Sequence, residues 1–238
     1  MLIAGVGEQL GTGLARVFAG VASADDTGGE RDDSEGDAVA LVARSAEYVE
    51  RLADEISAAG GEACAVTADV TDRAETVAAV EQVEAELGSV DVAIHNASAG
   101  GGSLDDAESF TTPVRTRIEG GGNLAAAVVP GMRERGHGTL LFAGTTFAHD
   151  GSERLPGWGA AAFGTRGLAR SLARRCAPDG VHVCYVAIGG TIPPADAQFQ
   201  PAGAMDPRRV ASSFVHLADQ PETAWSHEVD LRPSGQPP

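Results

Sequence analysis

The segment GVGEQLGTG, Gly5–Gly13, is entered from a short apolar run, Leu2–Gly5, and leaves into a helical pattern at Leu14–Ala19. A strand, a glycine-rich turn and a helix in that order narrow the choice of fold sharply. The tight turn lets backbone N–H groups and the positive end of the helix face a phosphate. Strand-like and helix-like segments then alternate along the chain. Val39–Ala43 reads as a second strand ending at Arg44, followed by an amphipathic helix over Ala46–Ala59 with Val49, Leu52, Ala53 and Ile56 on one face. Gly60–Gly61 closes that helix, and Glu62–Ala68 forms a third strand ahead of Asp69–Val70. Glu75–Leu87 is helical, Gly88–Ser89 turns, and Val90–Ile94 is a fourth strand. Such alternation points to an α/β protein with a parallel sheet.

The second half continues the pattern. Asp105–Met132 has the length of a long helix but contains Pro113 and the run Gly120–Gly122. Each glycine costs on the order of 1 kcal/mol relative to alanine in a helix, so the run either permits close backbone packing or breaks the helix. Thr139–Ala143 is a buried strand, and the helix after it repeats Leu168, Leu172 and Ala173 at helical spacing. Val181–Ile188 is another buried strand, Asp206–Ala218 a helix opened by Asp-Pro, and AWSHEVDLRP carries the last strand.

A chain of 238 residues holds one such domain, residues 1–238. Ser23–Ala38 carries seven acids and one arginine and reads as an acidic loop insertion, too polar to join the core. The whole chain has 34 acidic residues against 17 basic ones, every one of them arginine, for a formal net charge of −17. That surface repels nucleic acid and anionic membranes, so neither is expected as a partner. It suits a salty cytoplasm, where screening softens the repulsion among carboxylates. Cys64, Cys176 and Cys184 lack metal-ligand spacing, and their odd number argues against a disulfide framework. No metal is expected. Neither a signal peptide nor a membrane span is visible, which makes a cytoplasmic protein the expectation.

Three segments together, the glycine turn, HNASAG after the fourth strand and the strand–loop–helix of Gly138–Arg175, resemble the short-chain dehydrogenase/reductase superfamily. The resemblance covers nearly the whole chain apart from Ser23–Ala38. It implies a single-domain Rossmann-type fold, a doubly wound parallel sheet with helices on both faces, in which the acidic insertion lies on the edge away from the ligand crevice. It also implies NAD(P)-dependent oxidoreduction of a small molecule, whose identity stays open. Homodimers or homotetramers would form through the helices of Asp105–Met132 and Gly157–Arg175, with Ala125–Ala127 and Ala160–Ala162 as close-packing faces.

For the cofactor, the resemblance places the family's glycines at Gly5 and Gly11 with Gln9 between. A second register uses Gly7, Gly11 and Gly13. Gln9 puts a side chain where backbone approaches the diphosphate, and Glu8 opposes a 2′-phosphate, both lowering affinity. Arg44, at the end of the second strand, favours NADP(H) over NAD(H) by its charge. Asp69 and Val70 would flank the adenine, unless Asp69 serves a helix N-terminus. Asn96, Ala97 and Ser98 would border the ribose. Gly189 or Gly190 fits the turn beneath the nicotinamide, with Ile192 as its apolar wall. His95, where the family has Asn, reads as a structural substitute.

For the chemistry, the family's Ser falls on Thr145, its Tyr on Trp158, its Lys on Ala162 and its Asn on Arg117. An indole has no proton to lose near neutral pH. His149 is a candidate surrogate acid, and Arg117 could restore the missing positive charge or stack on Trp158. The leading expectation is a catalytically degenerate descendant that retains a ligand-binding, scaffold or regulatory role. An active NADP(H)-dependent carbonyl reductase or alcohol dehydrogenase using Thr145 and His149 competes with it. A structural partner with an empty nucleotide site is the third possibility.

Overall fold

A computed structural model describes residues 1–22, 36–198 and 201–236. Most of the expected acidic insertion, residues 23–35, lies outside them. Seven parallel strands form one sheet in the order β3-β2-β1-β4-β5-β6-β7. They are β1 (Leu2–Ala4), β2 (Val39–Ala43), β3 (Ala63–Thr67), β4 (Val92–His95), β5 (Gly138–Thr145), β6 (Val181–Ile188) and β7 (Glu228–Leu231). The order reverses between β1 and β4, whose registers run Leu2↔Ala93 to Ala4↔His95. At such a reversal the two flanking crossovers leave in opposite directions and open a crevice at the carboxyl ends of the strands.

Alternation along the strands assigns each face its helices. Leu2 and Ala4 point to one side, where they meet α3 (Arg73–Leu87), α5 (Gly120–Arg135) and α7 (Pro156–Cys176) through Val80, Leu124 and Ala169. Ile3 points to the other, against α1 (Leu10–Phe18), α2 (Ala46–Ala58) and α8 (Pro207–Ala218) through Leu14, Leu52 and Phe214. Asp72 caps α3, accepting from the N–H groups of Ala74 and Glu75, while Asp69 instead accepts from Thr71.

The long helix does not break at its glycines. It runs as α4 (Ala107–Val114), a π-helical turn (Arg115–Glu119) and α5, with right-handed helical dihedrals at each junction. Gly120 and Gly121 are there for contact: a β-carbon would lie 2.8 Å from Val70 at the first and 3.0 Å from Phe142 at the second. Pro113 cannot serve the carbonyl of Ser109, four residues back. The N–H of Gly102, in the loop after β4, donates to that carbonyl instead at 2.6 Å. Gly102 has φ +102, and its own carbonyl accepts from Gly157 at the start of α7. One loop thus joins α4 to α7.

The alanine faces expected to join subunits are mostly used within the chain. Ala125, Ala161 and Ala162 are buried in the core because the sheet needs small residues where helices lie close. Ala126, Ala160 and Phe163 face outward instead.

Candidate functional site

A cavity of about 860 Å³ opens along the carboxyl ends of β1 to β6. At one end stand Arg44 and Ser45 after β2, with Asp69 and Val70 after β3. In the middle, Gly5 turns away from β1 with φ +95, and a β-carbon there would lie 2.2 Å from the α-carbon of Ala97. Only glycine fits that approach. Gly11 lies against Val6, while Gly13 packs on Pro207 of α8 and does not line the cavity. Gly7 lines it with open space where a side chain would be. The N-terminus of α1 has no side-chain cap; the Thr12 N–H goes to the Gly7 carbonyl at 3.0 Å, and Leu10 and Gly11 of its first turn line the cavity.

Asn96 ties the neighbouring strand ends together. Its backbone N–H donates to Ala4 at 2.8 Å and its side-chain Nδ2 to Gly5 at 2.7 Å. Ala97 and Ser98 follow along the cavity wall, and Gly189, Gly190 and Ile192 form the wall opposite. Gln9 crosses between the two sides: its Nε2 donates to the carbonyl of Ile192 at 2.6 Å. The N–H of Ala195 donates to the carbonyl of Glu8 at 2.7 Å, and Arg16 pairs with Asp196 at 2.6 Å. The segment after β6 is therefore fastened down over the glycine turn.

The far end is built around Thr145, Trp158 and Arg117. Thr145, 9% exposed, ends β5. Its backbone is held by the phenol of Tyr185, which accepts from the Thr145 N–H at 2.9 Å and donates to its carbonyl at 3.0 Å. Gly144 makes this possible, since a β-carbon there would fall 2.1 Å from the Tyr185 ring. Sequence reading overlooked that clamp; the one available signal was a glycine near the end of a strand, directly after the apolar run Leu140–Ala143.

Trp158 donates its Nε1–H to the carbonyl of Ala99 at 2.9 Å, and Phe147 meets its ring edge-on. Arg117, in the π-helical turn, stacks its guanidinium 4.4 Å from the centre of the indole. It donates to Ala143 and to Ser98 Oγ, each at 3.2 Å. Burial lowers its pKa to about 10, so it is a cation at neutral pH. Ala162, four residues after Trp158 on α7, is fully buried.

His149 does not belong to the cavity. It lies in the short helix α6 (Phe147–Asp150), and its ring faces Glu228 at 3.6 Å and Asp230 at 3.5 Å on β7. With Arg232 also 3.4 Å from its Nδ1, the ring is set among groups outside the cavity lining, which corrects its expected placement beside the site.

The short-chain dehydrogenase family model matches residues 30–202. The chain belongs to that family. A sepiapterin reductase of Chlorobaculum tepidum is 27% identical over 244 residues, 98% of this chain and 96% of its own. A glycine betaine reductase of Emericella nidulans is 28% identical over 251 residues, 98% of this chain, but the chain spans only 18% of that protein's length. A metagenomic short-chain oxidoreductase crystallised with NADP superimposes with a TM-score of 0.81 at 24% identity, over 98% of this chain and 96% of that one.

The described residues lining the cavity include no Tyr, His or Cys, and the chain has no Lys. Thr145 can donate or accept a hydrogen bond, and Glu8 and Asp69 are carboxylates at the other end. No helix among the described residues is long and apolar enough to cross a membrane, and no group of acids, histidines and cysteines among them could hold a metal ion.

Proposed function

We propose that the cavity binds NADP(H) and that the chain has lost the ordinary proton transfer of its family. Gly5, Gly7, Gly11 and the uncapped start of α1 would hold the diphosphate, with Asp69 and Val70 at the adenine. Asn96, Ala97 and Ser98 would border the ribose and Ile192 the nicotinamide. Arg44 is exposed and makes no ion pair among the described residues, so it is available to a 2′-phosphate. Bound nicotinamide would supply or accept hydride; the missing part is the proton.

The observation that carries this reading is the hydrogen bond from Trp158 to Ala99 beneath the Arg117 guanidinium. By resemblance Trp158 and Ala162 stand at the Tyr and Lys positions. An indole N–H already given to a carbonyl neither moves a proton nor polarises a substrate, and general acid–base catalysis is worth about 10²–10⁴-fold. Thr145 can still orient a carbonyl oxygen.

Fluorescence titration with NADPH and NADH, followed by a screen of carbonyls and alcohols for absorbance change, tests the proposal. NADPH should bind more tightly than NADH, without turnover. Turnover at rates ordinary for the family would sink the degenerate reading. The Gln9–Ile192 bridge and Glu8 favour a second reading, a structural partner without nucleotide, which holds if neither dinucleotide binds. Restoring activity calls for three changes, Trp158→Tyr, Ala162→Lys and Arg117→Asn. With Arg117 in place, a new lysine would face a second buried cation, so the triple variant should exceed the double in reductase rate by at least about tenfold. Assembly into two or four copies and residence in the cytoplasm belong to the same proposal, with the exposed Phe163 (47%) on α7 as a contact.

A further inference from the structure

We propose that Arg117 is the seat of an anion subsite, and that the small molecule taken by this cavity carries a carboxylate bound there between the hydroxyls of Ser98 and Thr145. The inference rests on reading the cavity as a ligand site, and it names the ligand's chemistry.

Arg117 is 5% exposed and lines the cavity. Its two hydrogen bonds go to neutral acceptors, the Ala143 carbonyl and Ser98 Oγ, and its Nε–H reaches no acceptor. Other arginines of this chain have carboxylates: Arg16 has Asp196 and Glu55, Arg133 has Asp179, Arg166 has Glu228. Acids outnumber bases two to one in the sequence, 34 to 17, yet among the described residues none faces this guanidinium.

A desolvated cation held only by neutral oxygens and an indole face is under-compensated. A guanidinium has five N–H donors in a planar fork, and at most two are engaged here. That fork matches a carboxylate, and a bidentate ion pair is stronger than either single bond to a neutral oxygen now formed. Thr145 Oγ1 accepts only a long 3.4 Å contact from Phe147, which leaves its hydroxyl proton for a ligand oxygen. Phe147, Trp158 and Ile188 supply apolar walls that weaken competition from water. The anionic groups of a dinucleotide would lie elsewhere, at the glycine turn and Arg44, so this positive charge is left to the substrate.

Isothermal titration of the unaltered protein with pyruvate and with pyruvamide, in the absence of nucleotide and at constant ionic strength in potassium chloride, tests the subsite. The two probes share size and shape; the amide lacks the charge and presents an NH2 donor where the carboxylate has its second acceptor oxygen. Pyruvate should bind at least about tenfold more tightly, the factor a charge-assisted hydrogen bond carries. Arg117→Met should erase that preference and Arg117→Lys should retain part of it. Equal binding of the two probes, or a preference that survives in Arg117→Met, overturns the proposal; if Arg117→Met does not fold, the two probes on the unaltered chain decide alone. A pyruvate effect that chloride matches at equal concentration also overturns it. NADPH titration of the same preparation keeps the two readings apart. Pyruvate preference without nucleotide binding supports the subsite and sinks the cofactor assignment, and the converse result does the reverse.

Discussion

The imidazole of His95 is enclosed at the end of β4, 1% exposed, with the Phe142 ring edge-on at 5.9 Å and only the backbone of Thr116 and Arg117 near its ring nitrogens, too poorly placed for a well-formed hydrogen bond. Burial pushes its pKa down to about 3, and the nearby Arg117 charge adds to the shift. Above the ordinary imidazole value near 6.5 this costs nothing, because folded and unfolded chains both hold the neutral form. As pH falls below 6.5 the unfolded chain takes a proton that the folded one refuses. Stability then drops by about 1.4 kcal/mol per pH unit until the folded ring protonates near 3. His95→Asn should remove this slope. Urea midpoints of the two proteins between pH 7 and 4 measure the difference, and parallel pH profiles would refute it. The same position shows what sequence can reveal about a residue. That His95 departs from the family's Asn is plain from the segment HNASAG, but that Gly120 and Gly121 shape the space around it depends on a helix more than twenty residues away. Trp158 against Arg117 was legible as a stack, since both residues follow from positional register. The Tyr185 clamp was not, because no motif register sets the phenol against the Thr145 backbone.

At the scale of elements, the strands and helices follow from apolar periodicity, and observed ends differ from the expected ones by a few residues. Periodicity carries no mark of a π-helical turn, so the segment around Arg117 was visible only as a helix with unfavourable residues. Two joints between elements yield predictions. Gln9 is the N-terminal flanking residue of α1, and its side chain caps nothing but spans to Ile192. On the proposed binding mode a dinucleotide would displace that bridge. Gln9→Gly should therefore tighten NADPH binding roughly two- to tenfold, the worth of one net hydrogen bond, and fluorescence titration reads it; unchanged or weaker binding would show that the bridge is no obstacle. The second joint is Gly102, where a β-carbon would meet the Trp158 backbone at 2.8 Å on a left-handed residue. Gly102→Ala should cost roughly 2–4 kcal/mol from backbone strain and overpacking together. Gly100→Ala, with open space around it, should stay within about 1 kcal/mol. Equal denaturation midpoints for the two variants would mean that the loop yields and does not hold α4 to α7.

For the molecule as a whole, alternation of strand and helix with right-handed crossovers makes a parallel sheet covered on both faces readable, and the family resemblance made it a doubly wound one, whereas the strand order itself came from the pairing of the strands. Electrostatics was readable too, but only as a sum. With a formal charge of −17 and no lysine, the folded chain gathers like charges more closely than the unfolded one does. The ion pairs that exist, such as Arg133–Asp179 and Arg115–Glu119, sit at the surface and contribute little each. Repulsion then outweighs them, and salt should relieve it. The screening length falls from about 10 Å at 0.1 M to about 3 Å at 1 M, so most of the relief comes below 1 M. The thermal midpoint should rise by about 5 °C or more between about 0.1 and 1 M potassium chloride, corresponding to roughly 1–2 kcal/mol for a chain of this size. Screening depends on ionic strength and not on ion identity, whereas surface exclusion of salts does not saturate. Potassium bromide should therefore match potassium chloride over this range. A flat midpoint, or a rise produced only by strongly excluded salts such as sulfate, would mean that the acidic surface is tolerated without measurable cost to the fold.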